Sequence, residues 1–180
     1  MNGILIKPLS PVDKESIVYS REVLEEKFNT NTFLLNTEQI PLNAFDHRRK
    51  QYNAEILLRY IENLVEEEGL RNNIIIAITR ADGYVPGLNF VFGIASLGGG
   101  VCIVFTRRLR YYCKDESTYK SRVRKEVLHE VGHAVGLEHC DTPGCVMNFS
   151  NSVFDVDLKE DRYCIKCSLK LRLLLNRFKI

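Results

Sequence analysis

Residues 129–139 read His-Glu-Val-Gly-His-Ala-Val-Gly-Leu-Glu-His, the pattern H-E-x-x-H-x-x-G-x-x-H. Each fixed position restricts how the chain can run. Residues four apart on an α-helix share a face, so His129 and His133 can offer two imidazoles to one zinc ion. Glu130 stands beside them, where its carboxylate can take a proton from a metal-bound water. Gly136 can adopt the left-handed conformation that ends a helix and turns the chain back. His139 then meets the same metal from outside the helix. A fourth position stays open for water, which separates a catalytic zinc from a structural one. With this chain's own composition, the five fixed positions coincide by chance with a probability on the order of 10⁻⁵.

The flanking sequence agrees with that geometry. On a helical wheel Val123, Val127, Leu128, Val131, Ala134 and Val135 form one apolar arc, and His129 and His133 lie roughly opposite its centre. Histidines merely satisfied inside a core would sit on the arc.

Downstream stand Cys140-x4-Cys145 and Cys164-x2-Cys167. Two close pairs of thiols fit one tetrahedral zinc held by four thiolates, a closed structural site. Two disulfides or four unrelated thiols are the alternatives. No basic stretch followed by a long apolar run opens the chain, so no secretory signal is visible. A reducing cytoplasm is therefore expected, which favours metal over disulfides. Cys102, in an apolar strand, and Cys113, in a polar loop, are read as non-ligands, and His47 as an exposed loop histidine. Tyr163 is read as a tyrosine packed near the four cysteines rather than a group assisting at an oxyanion.

Composition limits the alternatives. The 180 residues are 45% hydrophobic and 27% charged, as expected of one compact domain with a real core. A net charge of +2 is too balanced to argue for nucleic acid. Residues 83–106 carry no charge and could span a bilayer by length, but Pro86, Asn89, Ser96 and six glycines favour short strands and turns. No membrane partner is expected.

Strands are predicted at Ile4-Leu5-Ile6, ended by Pro8, and at 32–40, 74–78, 90–97 and 101–105. Helices are predicted at 14–28, with Asp13 as cap, and at 50–68. The order strand, helix, strand, helix, three strands points to a mixed sheet with helices packed on it. The basic stretch 107–125 reads as a solvated loop and the exposed start of a helix. The 165–180 tail reads as a helix docking on its own domain.

Met147 lies two residues past Cys145, and the whole set resembles the metzincin clan of zinc peptidases. Within the clan the match is to the archaemetzincins, through Cys140 directly after the third histidine, C-x4-C-x-M and the later C-x-x-C. Weaker echoes run through Gln51-Tyr52-Asn53-Ala54 and Gly87-Leu88-Asn89-Phe90-Val91-Phe92-Gly93. The resemblance implies an α+β metzincin-like fold: a mixed, mostly parallel five-stranded sheet, packed helices, an active-site helix and a small C-terminal subdomain. It implies one catalytic domain over 1–180, with an upper subdomain spanning 1–136 and a lower subdomain spanning 137–180. His129, His133 and His139 would bind a catalytic zinc with Glu130 as general base. Cys140, Cys145, Cys164 and Cys167 would hold a second, structural zinc, and Met147 would form the methionine turn. The strand near Phe92 to Leu97 would be an edge strand lining the cleft. Two zinc ions per chain, a peptide or protein substrate and a monomer are the expectations. A zinc-containing module that binds peptides without cutting them is the alternative, although it has no need of Glu130. A nucleic-acid-binding zinc protein is disfavoured by the open three-histidine site.

Overall fold

The computed structural model describes residues 3–180. Its centre is a sheet whose middle strands are β1 (Ile4–Ser10), β6 (Ile74–Thr79) and β9 (Val101–Phe105). On one edge lie β2 (Thr32–Leu34) and β3 (Glu38–Gln39), both paired with β1, and on the other β8 (Gly93–Ala95). The continuous path β2-β1-β6-β9-β8 has five strands, parallel except for antiparallel β8. β3 adds a sixth because the stretch expected as one strand over 32–40 is broken in two.

The unbroken apolar runs follow from burial on both faces. Ile4, Ile6, Ile74, Ile76, Ile78, Cys102 and Val104 face a core shared with α1 (Lys14–Phe28) and α3 (Glu116–Val135). Leu5, Leu9, Ile75, Ala77, Val101, Ile103 and Phe105 face α2 (Ala54–Glu67). β1 does not stop at Pro8, which pairs in register with Ile78. Successive residues of a strand point their backbone groups to alternate sides, and the Ile6 carbonyl accepts from Leu35 on the β2 side. Pro8 therefore faces the same edge, between the registers of β2 and β3, where its missing N–H breaks no ladder bond.

Caps fix the helix ends. The Asp13 side chain accepts from the Ser16 N–H, and Asn53 from those of Glu55 and Ile56. The second helix thus begins at Ala54, not at 50, and Gln51–Asn53 forms β5 instead. It joins β4 (Phe45–Asp46) and β7 (Gly83–Tyr84) in a separate three-stranded sheet. Of the stretch expected as a strand over 90–97, only Gly93–Ala95 is one. Among the described residues no helix is long and apolar enough to cross a membrane.

The 107–125 stretch is the solvated loop and exposed helix start expected of it only in part: 110–117 are exposed apart from half-buried Cys113, but the helix turns inward from Tyr119. Tyr119 and Arg122 are fully buried, and Lys125 nearly so. The Arg122 guanidinium grips both Asp157 oxygens at 2.8 and 2.7 Å and donates to the Leu109 and Tyr111 carbonyls. These bonds replace the water that so buried a cation gives up. Asp157 belongs to α4 (Val153–Leu158), which a capping box between Ser152 and Asp155 starts. The last helix, α5 (Ile165–Leu175), docks through Cys167 and Leu171, and beyond it Lys179 accepts from the Gly3 N–H.

Replacing Asp157 by Asn should lower stability by about 2 kcal/mol, or about 4–8 °C in Tm. The Arg122 guanidinium holds the Asp157 carboxyl below its usual range. That contribution is complete above about pH 4, the ordinary aspartate value, and is lost as pH falls through the lowered one. Thermal melts of both proteins should therefore converge in acid.

Candidate metal centre and active site

From Lys125 to Gly132 every residue of α3 is buried. Polar side chains there must find partners inside the protein. His129 Nδ1 lies 2.8 Å from the Val146 carbonyl, and His133 Nδ1 lies 2.7 Å from that of Leu137. A carbonyl only accepts, so Nδ1 carries the proton in each ring and Nε2 is left with a bare lone pair. The two Nε2 atoms face one another at 3.1 Å.

Gly136 ends α3 at φ +113°, and its N–H returns to the His133 carbonyl. The reversal brings His139, itself exposed, to ring-centroid distances of 4.7 Å from His133 and 5.3 Å from His129. The three donor nitrogens lie within 4.8 Å of one another. Burial holds all three imidazoles below their ordinary pKa. Neutral rings with converging lone pairs repel each other unless a cation stands between them, and this donor set fits zinc.

Glu130 is buried beneath β8. Burial first, then the neighbouring Glu126 carboxylate, pushes its pKa well above the usual range, with Lys159 opposing. Gly93 lies directly over it: a Cβ there would run into the Glu130 carboxyl group. Glu126 and Lys159 form an ion pair at 2.7 Å with side chains 3% and 1% exposed. The cleft is about 480 Å³. Leu88, Phe90 and Ile94 line one side, Phe149 and Asn151 another, and the three histidines with Glu126 and Glu130 complete it. Phe149 stands edge-on to His139.

Met147 is fully buried against α3 at Gly132, where any Cβ would meet its sulfur and the Tyr163 ring. The Tyr163 hydroxyl donates to the Leu128 carbonyl at 2.6 Å, so this side chain is packed under the helix. The turn carrying Met147 also supplies Val146, whose carbonyl orients His129. At the far end of α3, the turn between β8 and β9 donates the Gly98 and Gly100 N–H groups to the His133 and Ala134 carbonyls.

Cys140, Cys145, Cys164 and Cys167 bring their sulfurs within 4.8 Å of one another without a disulfide. Backbone N–H groups of Thr142 and Cys164 point at the Cys140 and Cys145 sulfurs. Burial pushes the Cys164 thiol up, but the Cys167 N–H, the Thr142 hydroxyl and the neighbouring thiols outweigh it and bring it to about 6. Converging sulfurs with donors aimed at them suit thiolates on a metal. Cys102 lies inside the core and Cys113 donates to the Leu109 carbonyl, both outside the cluster, and His47 is exposed in a turn.

Sequence reasoning missed Gly93, Gly132 and the Glu126–Lys159 pair. Gly132 had a signal, because a glycine inside a helix is costly and asks for a packing reason. Glu126 lies one turn before Glu130, but its partner is 33 residues away.

The model of Peptidase family M54 matches residues 19–173. The archaemetzincin of Aeropyrum pernix is 38% identical over 172 residues, covering 93% of this chain and 91% of its own. The crystal structure of archaemetzincin from Archaeoglobus fulgidus, complexed with malonate, aligns with a TM-score of 0.83 and 37% identity over 93% of this chain and 99% of that one. A zinc-dependent peptidase from Methanocorpusculum labreanum aligns at 0.81, with 28% identity over 94% and 100%.

Alanine for glycine inside a helix normally adds about 1 kcal/mol of stability. At Gly132 it should instead cost about 1–3 kcal/mol, because the added methyl would overlap the fully buried Met147 sulfur and press on the Tyr163 ring. A lowered Tm for Gly132→Ala checks this; a raised one would mean that Met147 moves aside freely.

Proposed function

The chain belongs to peptidase family M54, a family of zinc metallopeptidases, and on that premise we propose which residues cut the peptide bond and how. The reading rests on one observation above all. Two histidines pinned through Nδ1 and a third brought in by the Gly136 turn converge beside a buried carboxylate, in a cleft open to an extended chain.

His129, His133 and His139 hold the catalytic zinc. A zinc held there would acidify a water and polarise the scissile carbonyl. Glu130, buried next to His129 and lining the cleft, takes the proton of the attacking water and passes it to the leaving amide nitrogen. The substrate lies as an added strand along the free edge of β8. Val146 and Leu137 keep the imidazoles turned toward the metal.

Cys140, Cys145, Cys164 and Cys167 hold a second, structural zinc, giving two per chain. Met147 is the turn methionine beneath the histidines. Residues 1–180 act as one catalytic domain, with 1–136 above the cleft and 137–180 below. The apolar core on the α3 face of the sheet, which runs from Ile4 to Leu171 and so crosses that boundary, supports this reading. Clustered thiols free of disulfides suit a reducing compartment, the cytoplasm.

Elemental analysis after metal repletion should find two zinc ions in wild type, and one in both His133→Ala and Cys145→Ser. One zinc unaffected by His133→Ala would overturn the catalytic site. Cys145→Ser should also lower Tm, because a site absent from the unfolded chain couples metal binding to folding. Glu130→Gln should keep both zincs and lose about 10³-fold in kcat on peptide substrates. Near-normal hydrolysis by that variant would refute the general base.

A further inference from the structure

The segments 51–54 and 87–93, which carry the weaker echoes of the family outside the metal motif, meet in space. Arg49 joins them. Its Nη2 donates to the Leu88 and Asn89 carbonyls, both at 2.9 Å, and its Nε donates to the Gln51 side-chain oxygen at 3.0 Å. Gln51, itself buried, donates to the same Asn89 carbonyl at 3.0 Å. The Arg49 guanidinium also lies 4.2 Å from the centre of the Tyr84 ring. Asp46 fixes the turn beneath, accepting from the Arg48 and Arg49 N–H groups and the Tyr84 hydroxyl. From the other side Arg108, bidentate on Asp82, stacks over Phe90 at 4.3 Å.

The loop so gripped lines the cleft through Leu88, Phe90 and Val91. Its own backbone supplies few ties: Leu88 N–H to the Val85 carbonyl, across a turn with Gly87 at φ +92°, Val91 N–H to the Gly83 carbonyl and, at its end, Phe105 N–H to the Phe92 carbonyl. Regular pairing with β9 begins only at Gly93. The Phe92 end is thus tied to β9, while the Leu88 and Asn89 carbonyls take their bonds from the arginine fork and Gln51 and depend on them for their place.

We propose that Arg49, acting with Gln51, is a positioning residue of the cleft: by tying the Leu88 and Asn89 carbonyls to the small sheet it fixes the rim against which an extended peptide lies. It touches neither the histidines nor Glu130, so it governs binding of chains long enough to reach the rim rather than the bond-breaking step. The inference rests on the peptidase reading for its substrate, but the clamp is testable without catalysis.

Zinc-repleted wild type, Arg49→Ala, Arg49→Lys and the control Arg48→Ala, which removes an equal charge from the same turn, are compared. Hydrogen exchange at the Leu88 and Val91 amides should speed up about tenfold in Arg49→Ala. KM for a peptide of about eight residues should rise about fivefold or more while kcat falls less than about twofold. Arg49→Lys, which keeps the charge but not the fork, should recover some of the loss, and Arg48→Ala should stay within about twofold of wild type. Faster exchange with an unaltered KM, or a loss confined to kcat, would overturn the proposal. So would unaltered exchange. Should wild type cleave nothing, the peptidase reading fails and not this one. Fluorescence polarisation of the same labelled peptide on wild type and Arg49→Ala then replaces KM, and equal affinities overturn the clamp.

Discussion

Burial of the C-terminal half of α3 on all sides is the constraint on which the rest of this structure depends. A helix placed between a sheet and a second layer of chain loses the solvated face that most surface helices keep. Its polar side chains therefore acquire fixed partners. His129 and His133 are held by carbonyls, Glu126 by Lys159, and the Leu128 carbonyl takes a bond from Tyr163 beyond its place in the helix. What orients the imidazoles is thus the chain folded beneath α3, through Val146 above all, and less the helix that carries them.

The same crowding organises the charges between α3 and the chain from α4 to Asp161. Arg122 meets Asp157, Arg124 meets Asp161, Lys125 meets the Asp157 carbonyl and Glu126 meets Lys159. A fully buried pair such as Glu126–Lys159 adds little net stability, since desolvation offsets the attraction, but leaving one member unpaired is costly, and the same holds for the buried Arg122 cation. The effect of these contacts is to admit one alignment of helix and lower chain and to penalise a shifted one. Because the turn carrying Val146 and Met147 lies on the same side of α3, that alignment is also the alignment of His129 with its carbonyl.

The sequence disclosed the site better than it disclosed the site's surroundings. The zinc motif and the cysteine pairs are local patterns whose spacing already implies geometry, and the structure brings the three histidines together and, separately, the four thiols. The run 74–78 was legible because β-branched residues without alternation leave a doubly buried strand as the simplest reading. Arg122 was misread since a cation in a basic stretch looks solvated until its partner, 35 residues on, is known. β4, β5 and β7 escaped notice because strands of two or three residues carry no period. Pro8 misled for the opposite reason: a rule true of central strands has an exception where two neighbours share one edge.

The turn between β8 and β9 looks like an ordinary glycine-rich surface hairpin, the kind of place where insertions accumulate and where a tag or reporter would be grafted. Its Gly98 and Gly100 N–H groups, however, close off the last carbonyls of α3, including that of His133. One added residue would move those donors out of reach and leave the end of the helix open beside the three-histidine cluster. Among relatives, length variation should accordingly collect in other loops. For anyone re-engineering this chain, the hairpin is a hinge pin disguised as spare cord.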